Sequence, residues 1–370
     1  MVKERAYWLA WSKITGVGPV LLWRVQQHFG TLAEAWAAPA VALGEVEGFG
    51  SKLVSAVAQG RSQINPEKLL EEHSRQNPHF WTPADDHYPR LLLEIPSPPP
   101  VLYYQGEVKL EENQGITPMI GIVGTRKPTE HGRRWTRRIS AILAKSGFTI
   151  ISGLAAGIDG KAHEGCLEVG GRTIAVLGTG LDRVYPRCNQ KLYEAIAQQG
   201  LLLSEYPQGT RPDRSNFPAR NRIIAGLSRG VLVMEAPERS GALITARHGN
   251  DFGRDVYALP HSPDNEQYRG CLKLLCNGAG MIVEEEELLS MLGVIPNLAA
   301  KTIINKKVEE IPDLSPELAK VIKAIAYEST PFDSIVQSAG LPANSISAAL
   351  IQLELLGLVS QLPGMRYQRC

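Results

Sequence analysis

Cysteine is scarce in this sequence, and its spacing matches no metal-binding or disulfide pattern. The 370 residues include five cysteines, and no two of them form a C-x-x-C pair. An odd number of scattered thiols suits neither a zinc site nor a disulfide framework. We therefore predict reduced thiols and no bound metal. The cysteines are Cys166, Cys188, Cys271, Cys276 and Cys370.

A membrane-spanning run and a secretory leader are also missing. No apolar stretch approaches the roughly 18 residues that a transmembrane helix needs. The opening stretch, MVKERAYWLAWSKITGVG, has no long apolar core and no small-residue cleavage site. These features predict a cytoplasmic protein that makes no contact with a membrane.

The motifs of nucleotide chemistry are missing or incomplete. No P-loop G-x-x-x-x-G-K-[ST] occurs, and the glycines near Gly124 lack the third position of the G-x-G-x-x-G fingerprint. No nucleophile elbow G-x-S-x-G occurs either. Asp159 and His163 are catalytic residue types, but an aspartate at a predicted helix start also serves as a cap. We predict no cofactor and no catalytic residue.

Neither charge sign is in excess, because 39 basic residues face 38 acidic ones and the net charge is +1. Bulk charge therefore does not indicate a nucleic-acid partner, and that case depends on local clustering. Arginines do cluster on one predicted helix that follows Arg126 and Lys127. Arginines at positions i and i+4 share one face of the helix, but an ordinary solvated helix face would also carry such residues. The clustered residues are Arg133, Arg134, Arg137 and Arg138.

Four regions follow one another along the chain. Residues 1–75 place apolar residues at helical spacing around glycine turns at 16–18 and 48–50, which predicts a helix-hairpin-helix or SAM-like domain. The turn amides could bind a phosphate or simply join packed helices. Residues 76–293 form the main domain, and 294–313 are predicted to be a linker. Residues 314–370 predict a winged helix, with helices at 315–326, 332–338 and 344–356 before a turn at Pro363 and Gly364.

The main domain alternates buried apolar runs with helical stretches. This order is typical of a Rossmann-like, doubly wound α/β sheet, in which a ligand lies beyond the carboxyl ends of the strands, at the switch point. A further run at 101–104 is a candidate edge strand. The six main strands are predicted at 119–124, 148–153, 173–178, 201–206, 230–236 and 255–260.

Glycines and arginines follow the first four of these strands, so four loops should gather at one edge of the sheet. Glycine lets the backbone approach a ligand, helix-start amides favour anions, and arginine binds phosphate in a bidentate manner. The loops therefore predict a ligand with several phosphates, although tight turns alone could explain some glycines. The loop residues include Gly124, Arg126, Gly153, Gly157, Gly178, Gly180, Arg211, Arg214, Arg220 and Arg222.

Six ordered motifs between about 119 and 260 resemble the DNA-processing protein A (DprA/Smf) family. They are VGTR at 123–126, SGLAAGID at 152–159, LGTGLD at 177–182, SEYP at 204–207, FPARNRIIAGLS at 217–228 and SGALITA at 240–246. The resemblance implies a mediator of natural transformation that is not an enzyme. Such a protein binds incoming single-stranded DNA, forms a homodimer and loads the RecA recombinase.

The resemblance also implies roles for particular residues. Arg126 would be the main phosphate-binding arginine, the Ser152–Gly153 turn would offer amides, and Arg187 stands where the family often has lysine. The complete predicted single-stranded-DNA site is Gly124, Thr125, Arg126, Ser152, Gly153, Gly157, Arg187, Asn189, Arg220, Asn221 and Arg222.

Two departures from the family pattern concern loops outside these arginines. His261 follows Pro260 where the family usually has glycine, and Cys271 replaces a frequent asparagine.

In the C-terminal region, helix 344–356 carries no lysine or arginine, and a helix that reads a DNA groove normally has basic or amide groups. We predict that this domain binds protein or packs, with a smaller DNA role open to Arg366 and Arg369.

Two other functions are compatible with parts of the sequence. A Rossmann-like nucleotide hydrolase of the phosphoribohydrolase type would need a Pro-Gly-Gly-x-Gly-Thr motif followed by glutamate, and no such string occurs. An adaptor acting only through the winged helix would leave the basic loops unexplained. We therefore predict sequence-independent binding of single-stranded DNA.

Overall fold

The computed structural model describes residues 2–293, 316–325, 330–355, 358–362 and 366–369. The chain divides into two compact units, Met1–Pro296 and Asn297–Cys370. The linker predicted at 294–313 and the turn predicted at Pro363 and Gly364 lie outside the described residues. The domain boundaries drawn from the sequence stay predictions.

The N-terminal region is helical, and its two glycine turns share a backbone conformation and make reciprocal contacts. Gly16 and Gly48 both have positive φ, +87° and +91°. A Cβ at Gly16 would lie 2.9 Å from Leu53, and one at Gly48 would lie 2.8 Å from Leu21. Each turn therefore packs against the helix that follows the other turn. The helices here are α1 (Val2–Trp11), α2 (Pro19–Phe29), α3 (Leu32–Ala37), α4 (Ala40–Gly44), α5 (Ser51–Gln63) and α6 (Pro66–Gln76).

A mostly parallel sheet forms the centre of the first unit, as predicted. Its order is β1-β2-β6-β5-β4-β3-β7-β8-β9, and only the pairs β1–β2 and β2–β6 are antiparallel. The six predicted strands are confirmed as β3–β8, and the run at 101–104 contributes to β2. The strands are β1 (Phe80–Trp81), β2 (Leu102–Gly106), β3 (Met119–Gly124), β4 (Thr149–Ser152), β5 (Thr173–Leu177), β6 (Leu201–Ser204), β7 (Gly230–Glu235), β8 (Asp255–Ala258) and β9 (Gly280–Met281).

The central strands are mostly apolar and are buried along almost their whole length, as expected for a parallel sheet with helices on both faces. Among the described helices, none is long and apolar enough to cross a membrane. The helices of this region are α7 (Leu110–Asn113), α8 (Glu130–Lys145), α9 (Ile158–Leu167), α10 (Gln190–Gln199), α11 (Asn216–Leu227), α12 (Ala242–Asp251), α13 (Arg269–Cys276) and α14 (Glu285–Met291), with a 3₁₀ turn at Arg187–Asn189.

The second unit has the predicted winged-helix pattern. Its core includes Val321, Ile335, Leu350 and Leu353, all buried. Three short strands pair in the order β10-β12-β11. The elements are α15 (Pro316–Lys323), β10 (Thr330–Pro331), α16 (Phe332–Ala339), α17 (Ala343–Leu355), β11 (Val359–Leu362) and β12 (Arg366–Arg369).

Candidate nucleic-acid interface

A small cleft of about 90 Å³ opens at the carboxyl edge of the sheet, over the ends of β4 and β5. The strand-to-helix loops meet here because parallel strands direct their carboxyl ends to one edge. Its walls include an exposed cation, two aromatic rings and the backbone of two glycine loops. The residues that line it include Arg126, Gly153, Gly178, Tyr185, Phe217 and Arg220.

Arg126 is held out into solvent by a loop that is itself tightly fixed. The Thr125 amide donates to the carbonyl of Glu235 at 2.7 Å, and the Thr125 carbonyl accepts from the Ile158 amide at 3.1 Å. A Cβ at Gly157 would clash with the backbone of Thr125 and Arg126, so only glycine permits this approach. Among the described residues, Arg126 makes no hydrogen bond or salt bridge, so its guanidinium is available to an anion.

Two aromatic side chains stand beside this cation. The rings of Tyr185 and Phe217 are stacked, with centroids 5.3 Å apart and planes inclined by 29°. The Arg126 guanidinium carbon lies 5.4 Å from the centroid of Phe217. Tyr185 is 41% exposed, so one face of the pair is open to a planar ligand. Stacking on an aromatic ring beside a cation is how proteins bind unpaired bases without regard to sequence.

Arg220 lies beneath the cleft rather than in it, because its side chain is buried. One guanidinium nitrogen donates to the carbonyl of Gly153 at 2.8 Å and also to the carbonyl of Val176, tying together the ends of β4 and β5. Burial lowers the pKa of Arg220 to about 10, while the nearby Asp159 carboxylate raises it. The guanidinium therefore stays charged at neutral pH and acts mainly as a brace under the glycine loop.

The loop after β4 is held by internal hydrogen bonds. The buried Asp159 carboxylate accepts from the amides of Gly153 at 3.2 Å and Ala155 at 3.4 Å. Asn189 donates to the carbonyls of Leu154 and Ala155, each at 3.0 Å. The Gly153 amide is thus already paired. Burial raises the pKa of Asp159, and the Arg220 charge opposes that rise.

The remaining predicted residues do not converge on the cleft as ligands. Ser152 is buried and donates to the Ile122 carbonyl at 2.6 Å. Asn221 donates to the Gly241 carbonyl at 3.3 Å. Gly124 is packed against Ile158, where a Cβ would meet that side chain at 2.5 Å. Arg187 is exposed on the 3₁₀ turn beside Pro186, which lines the cleft.

Arg222 is buried on the far side of α11, in an ion pair. It donates to the Glu205 carboxylate at 2.5 Å and to the carbonyls of Ser97 and Ala219 at 3.0 Å each. Its guanidinium therefore joins the segment before β2 to the loop after β6. In this arrangement it offers nothing to a ligand.

The switch point itself, between the ends of β3 and β7, is filled by a protein carboxylate. Glu235 is fully buried and accepts from the Thr129 amide at 3.0 Å and the Thr129 hydroxyl at 2.8 Å. These bonds place a negative charge at the start of α8, where an external anion would otherwise bind. The open cleft consequently lies over β4 and β5, one strand away from the site that the topology predicts.

His163 takes part in the core and not in the cleft. Its Nδ1 lies 2.7 Å from the Thr173 hydroxyl, and burial lowers its pKa to about 3. Asp159 is occupied by the amides described above. Among the described residues, no group of three His, Cys, Asp or Glu side chains could hold a metal ion.

Sequence reasoning did not place Tyr185 and Phe217 at this cleft. Phe217 opens the FPARNRIIAGLS motif and Tyr185 lies three residues after the LGTGLD motif, yet neither was predicted to bind DNA. The available signal was an aromatic residue in each of two segments that also carry arginine, Tyr185 just before Arg187 and Phe217 at the start of α11. Their pairing across about 30 residues of chain depends on the meeting of loops, which the sequence does not display.

The main domain matches the family model described as DNA recombination-mediator protein A over residues 79–293, and residues 305–365 match the DprA winged helix domain. Protein Smf of Synechocystis sp. is 56% identical over 99% of each chain. The chain belongs to the DprA/Smf family. Thus the resemblance seen in the sequence is confirmed.

Two solved DprA structures share this fold. The protein of Streptococcus pneumoniae superposes with a TM-score of 0.67 at 34% identity, covering 77% of this chain and 97% of its own. DNA processing protein A of Helicobacter pylori, a protein that binds single-stranded DNA, gives a TM-score of 0.52 at 32% identity, covering 58% of this chain and 95% of its own. This DprA/Smf chain therefore has the family's α/β domain.

Proposed function

We propose that this DprA/Smf protein binds single-stranded DNA without regard to sequence, at the cleft over β4 and β5. The observation that carries the proposal is the exposed Arg126 guanidinium, which has no polar partner in the described part of the chain and lies beside the stacked Tyr185 and Phe217 rings. The cation suits a phosphate and the rings suit an unpaired base, a combination that duplex DNA cannot satisfy while its bases are paired. The single-strand binding of the Helicobacter pylori relative supports the same interpretation.

The same site gives no support to catalysis. Asp159 and His163, the residues of catalytic type, are buried and bonded within the fold. We therefore propose a binding protein and not an enzyme, acting in the cytoplasm on DNA taken up for recombination.

Replacing Arg126 by alanine is expected to weaken binding of fluorescent oligo-dT by about 10- to 100-fold, as for loss of a charge-assisted hydrogen bond. The dependence of log K on log salt should also become shallower by about 0.7 for each phosphate that the variant no longer neutralises. Fluorescence anisotropy at two salt concentrations measures both quantities. Arg75→Ala, which removes an exposed helical arginine of the N-terminal region, is the matched control.

A second readout locates the bound strand. Cys188 is exposed next to Arg187, whereas the exposed Cys276 lies on α13. Bound oligo-dT should slow alkylation of Cys188 and leave Cys276 unchanged. Equal affinity of Arg126→Ala and wild type, together with an unprotected Cys188, would show that DNA binds elsewhere. A wild-type preference for the matched duplex would contradict the role of the aromatic pair.

We further propose that the protein is a homodimer and loads RecA, and different observations support the two parts. At the sheet edge, the two-residue strand β9 ends in the exposed Met281, and the exposed Val283 follows shortly after it. Open apolar edges favour pairing with a second chain. Val283→Glu is expected to give a monomer in sedimentation equilibrium, where a monomeric wild type would contradict the dimer.

RecA loading rests on family membership, and faster RecA filament growth on protein-bound single strands tests it.

A further inference from the structure

A long open groove leads away from Arg126 between α8 and α9. It has a volume of about 820 Å³, and Arg126 and Gly157 stand at the end where it meets the cleft. Along α8 it follows one helical stripe from Glu130 to Ala141. Eleven residue steps along a helix span about 16 Å, which is several times the axial rise of about 3.4 Å per nucleotide of a stacked strand. The groove is thus long enough for a stretch of nucleic acid.

Basic side chains dominate the lining of this groove. Six cations stand against two carboxylates, those of Glu130 and Glu168. The stripe is therefore strongly positive, although the protein as a whole is nearly neutral. The cations are Arg126, Arg133, Arg134, Arg137, Arg138 and Lys161.

Several of these arginines already have protein partners at the surface. Arg133 pairs with Glu130 at 3.3 Å, and Arg137 pairs with Glu168. Both members of each pair are about half or more exposed, and exposed ion pairs contribute little, so a phosphate can replace the carboxylate. Within the part of the chain that the structure describes, Arg134 has no ion pair or hydrogen bond through its side chain. It lies between Arg133 and Arg137, open to solvent, while Arg138 pairs with Glu285.

We propose that the groove between α8 and α9 is a second binding segment for single-stranded DNA, in which the phosphates beyond those at Arg126 lie along Arg134 and Arg137. This inference rests on the proposed function of the cleft, since the same strand would occupy both. The cleft would hold the first bases by stacking, and the groove would hold the following backbone by charge alone. Binding energy should therefore increase with strand length.

Strand length separates the two segments in an experiment. The double variant Arg134→Ala/Arg137→Ala is compared with wild type on oligo-dT of about 6 and about 20 nucleotides, lengths chosen around the site sizes of single-strand binders. We expect affinity for the short strand within about twofold of wild type, and affinity for the long strand reduced about tenfold or more. The salt slope on the long strand should become shallower by about 1.4, or about 0.7 for each of the two phosphates left without an arginine.

Controls distinguish failure of this inference from failure of the proposed function. Arg126→Ala should weaken both strand lengths, and Arg75→Ala, which removes another ion-paired helical arginine, should weaken neither. Equal long-strand affinity of the double variant and wild type would overturn the groove and leave the cleft intact. If wild type binds neither strand, both proposals fail. If the double variant loses binding only to anionic phospholipid vesicles, the groove is a lipid surface and the proposal is wrong.

Discussion

Replacing Arg220 by alanine is expected to lower the free energy of unfolding by about 3 kcal/mol or more, the range found when one partner of a buried charge pair is removed. The change leaves the carbonyls of Gly153 and Val176 without their donor. It also removes the nearby positive charge that stabilises the ionised form of the buried Asp159 carboxylate. Urea unfolding followed by fluorescence measures this loss, and binding of single strands should fall with it because the loop after β4 loses its brace.

Two variants test the physical cause of that loss. Arg220→Lys keeps the charge but loses the planar guanidinium that bonds both carbonyls, so its stability should fall between those of wild type and the alanine variant. Arg229→Ala removes an exposed arginine that donates to the Gly115 carbonyl, and it should change stability by less than about 0.5 kcal/mol. A loss below about 1 kcal/mol for Arg220→Ala would show that Arg220 does not brace the loop.

The pH dependence of the Arg220→Ala variant has a definite sign. Burial already raises the pKa of Asp159 above its unfolded value, so the folded state binds the proton more tightly and this group favours folding at low pH. Without the Arg220 charge the pKa rises further. The destabilisation caused by Arg220→Ala should therefore be smaller at about pH 5 than at about pH 8, since protonation removes the uncompensated charge.

The fold was predictable because its signals are local. Continuous apolar runs identify β3–β8, and the alternation with helices dictates a parallel sheet. β1 and β9 were not predicted as strands because each contains only two residues, too few to show a period. The exposed position of Arg126 followed from its place directly after β3, in a loop that has to lie at the carboxyl edge.

The roles of Arg220 and Arg222 could not be predicted in the same way. Both lie on α11 in one arginine-rich motif, and in the sequence they resemble Arg126. Their side chains point beneath the cleft and away from it, because α11 packs on the sheet with that face. Which face is buried depends on the loops and on residues as distant as Ser97, which accepts from Arg222. The residue type therefore predicted a positive charge at these positions, but not the direction in which each side chain points.

Arg222→Ala should lower the free energy of unfolding by about 3–5 kcal/mol, because it leaves the Glu205 carboxylate buried and unpaired. The two side chains are only 8% and 13% exposed, so solvent screens the pair weakly. Glu205→Ala should cost a similar amount, and the double variant should cost clearly less than the sum of the two. Urea unfolding of the four proteins completes this double-mutant cycle.

Binding measurements on the same variants decide whether Arg222 is a DNA ligand, as its position in the motif had predicted. Our structure makes it part of the scaffold, so the Arg222→Met/Glu205→Leu variant, which replaces the pair by apolar side chains of similar size, should recover most of the lost stability. That variant should bind oligo-dT within about twofold of wild type when folded. If stability returns while affinity stays at least about tenfold lower, Arg222 contacts the DNA after all, and the strand must extend beneath α11.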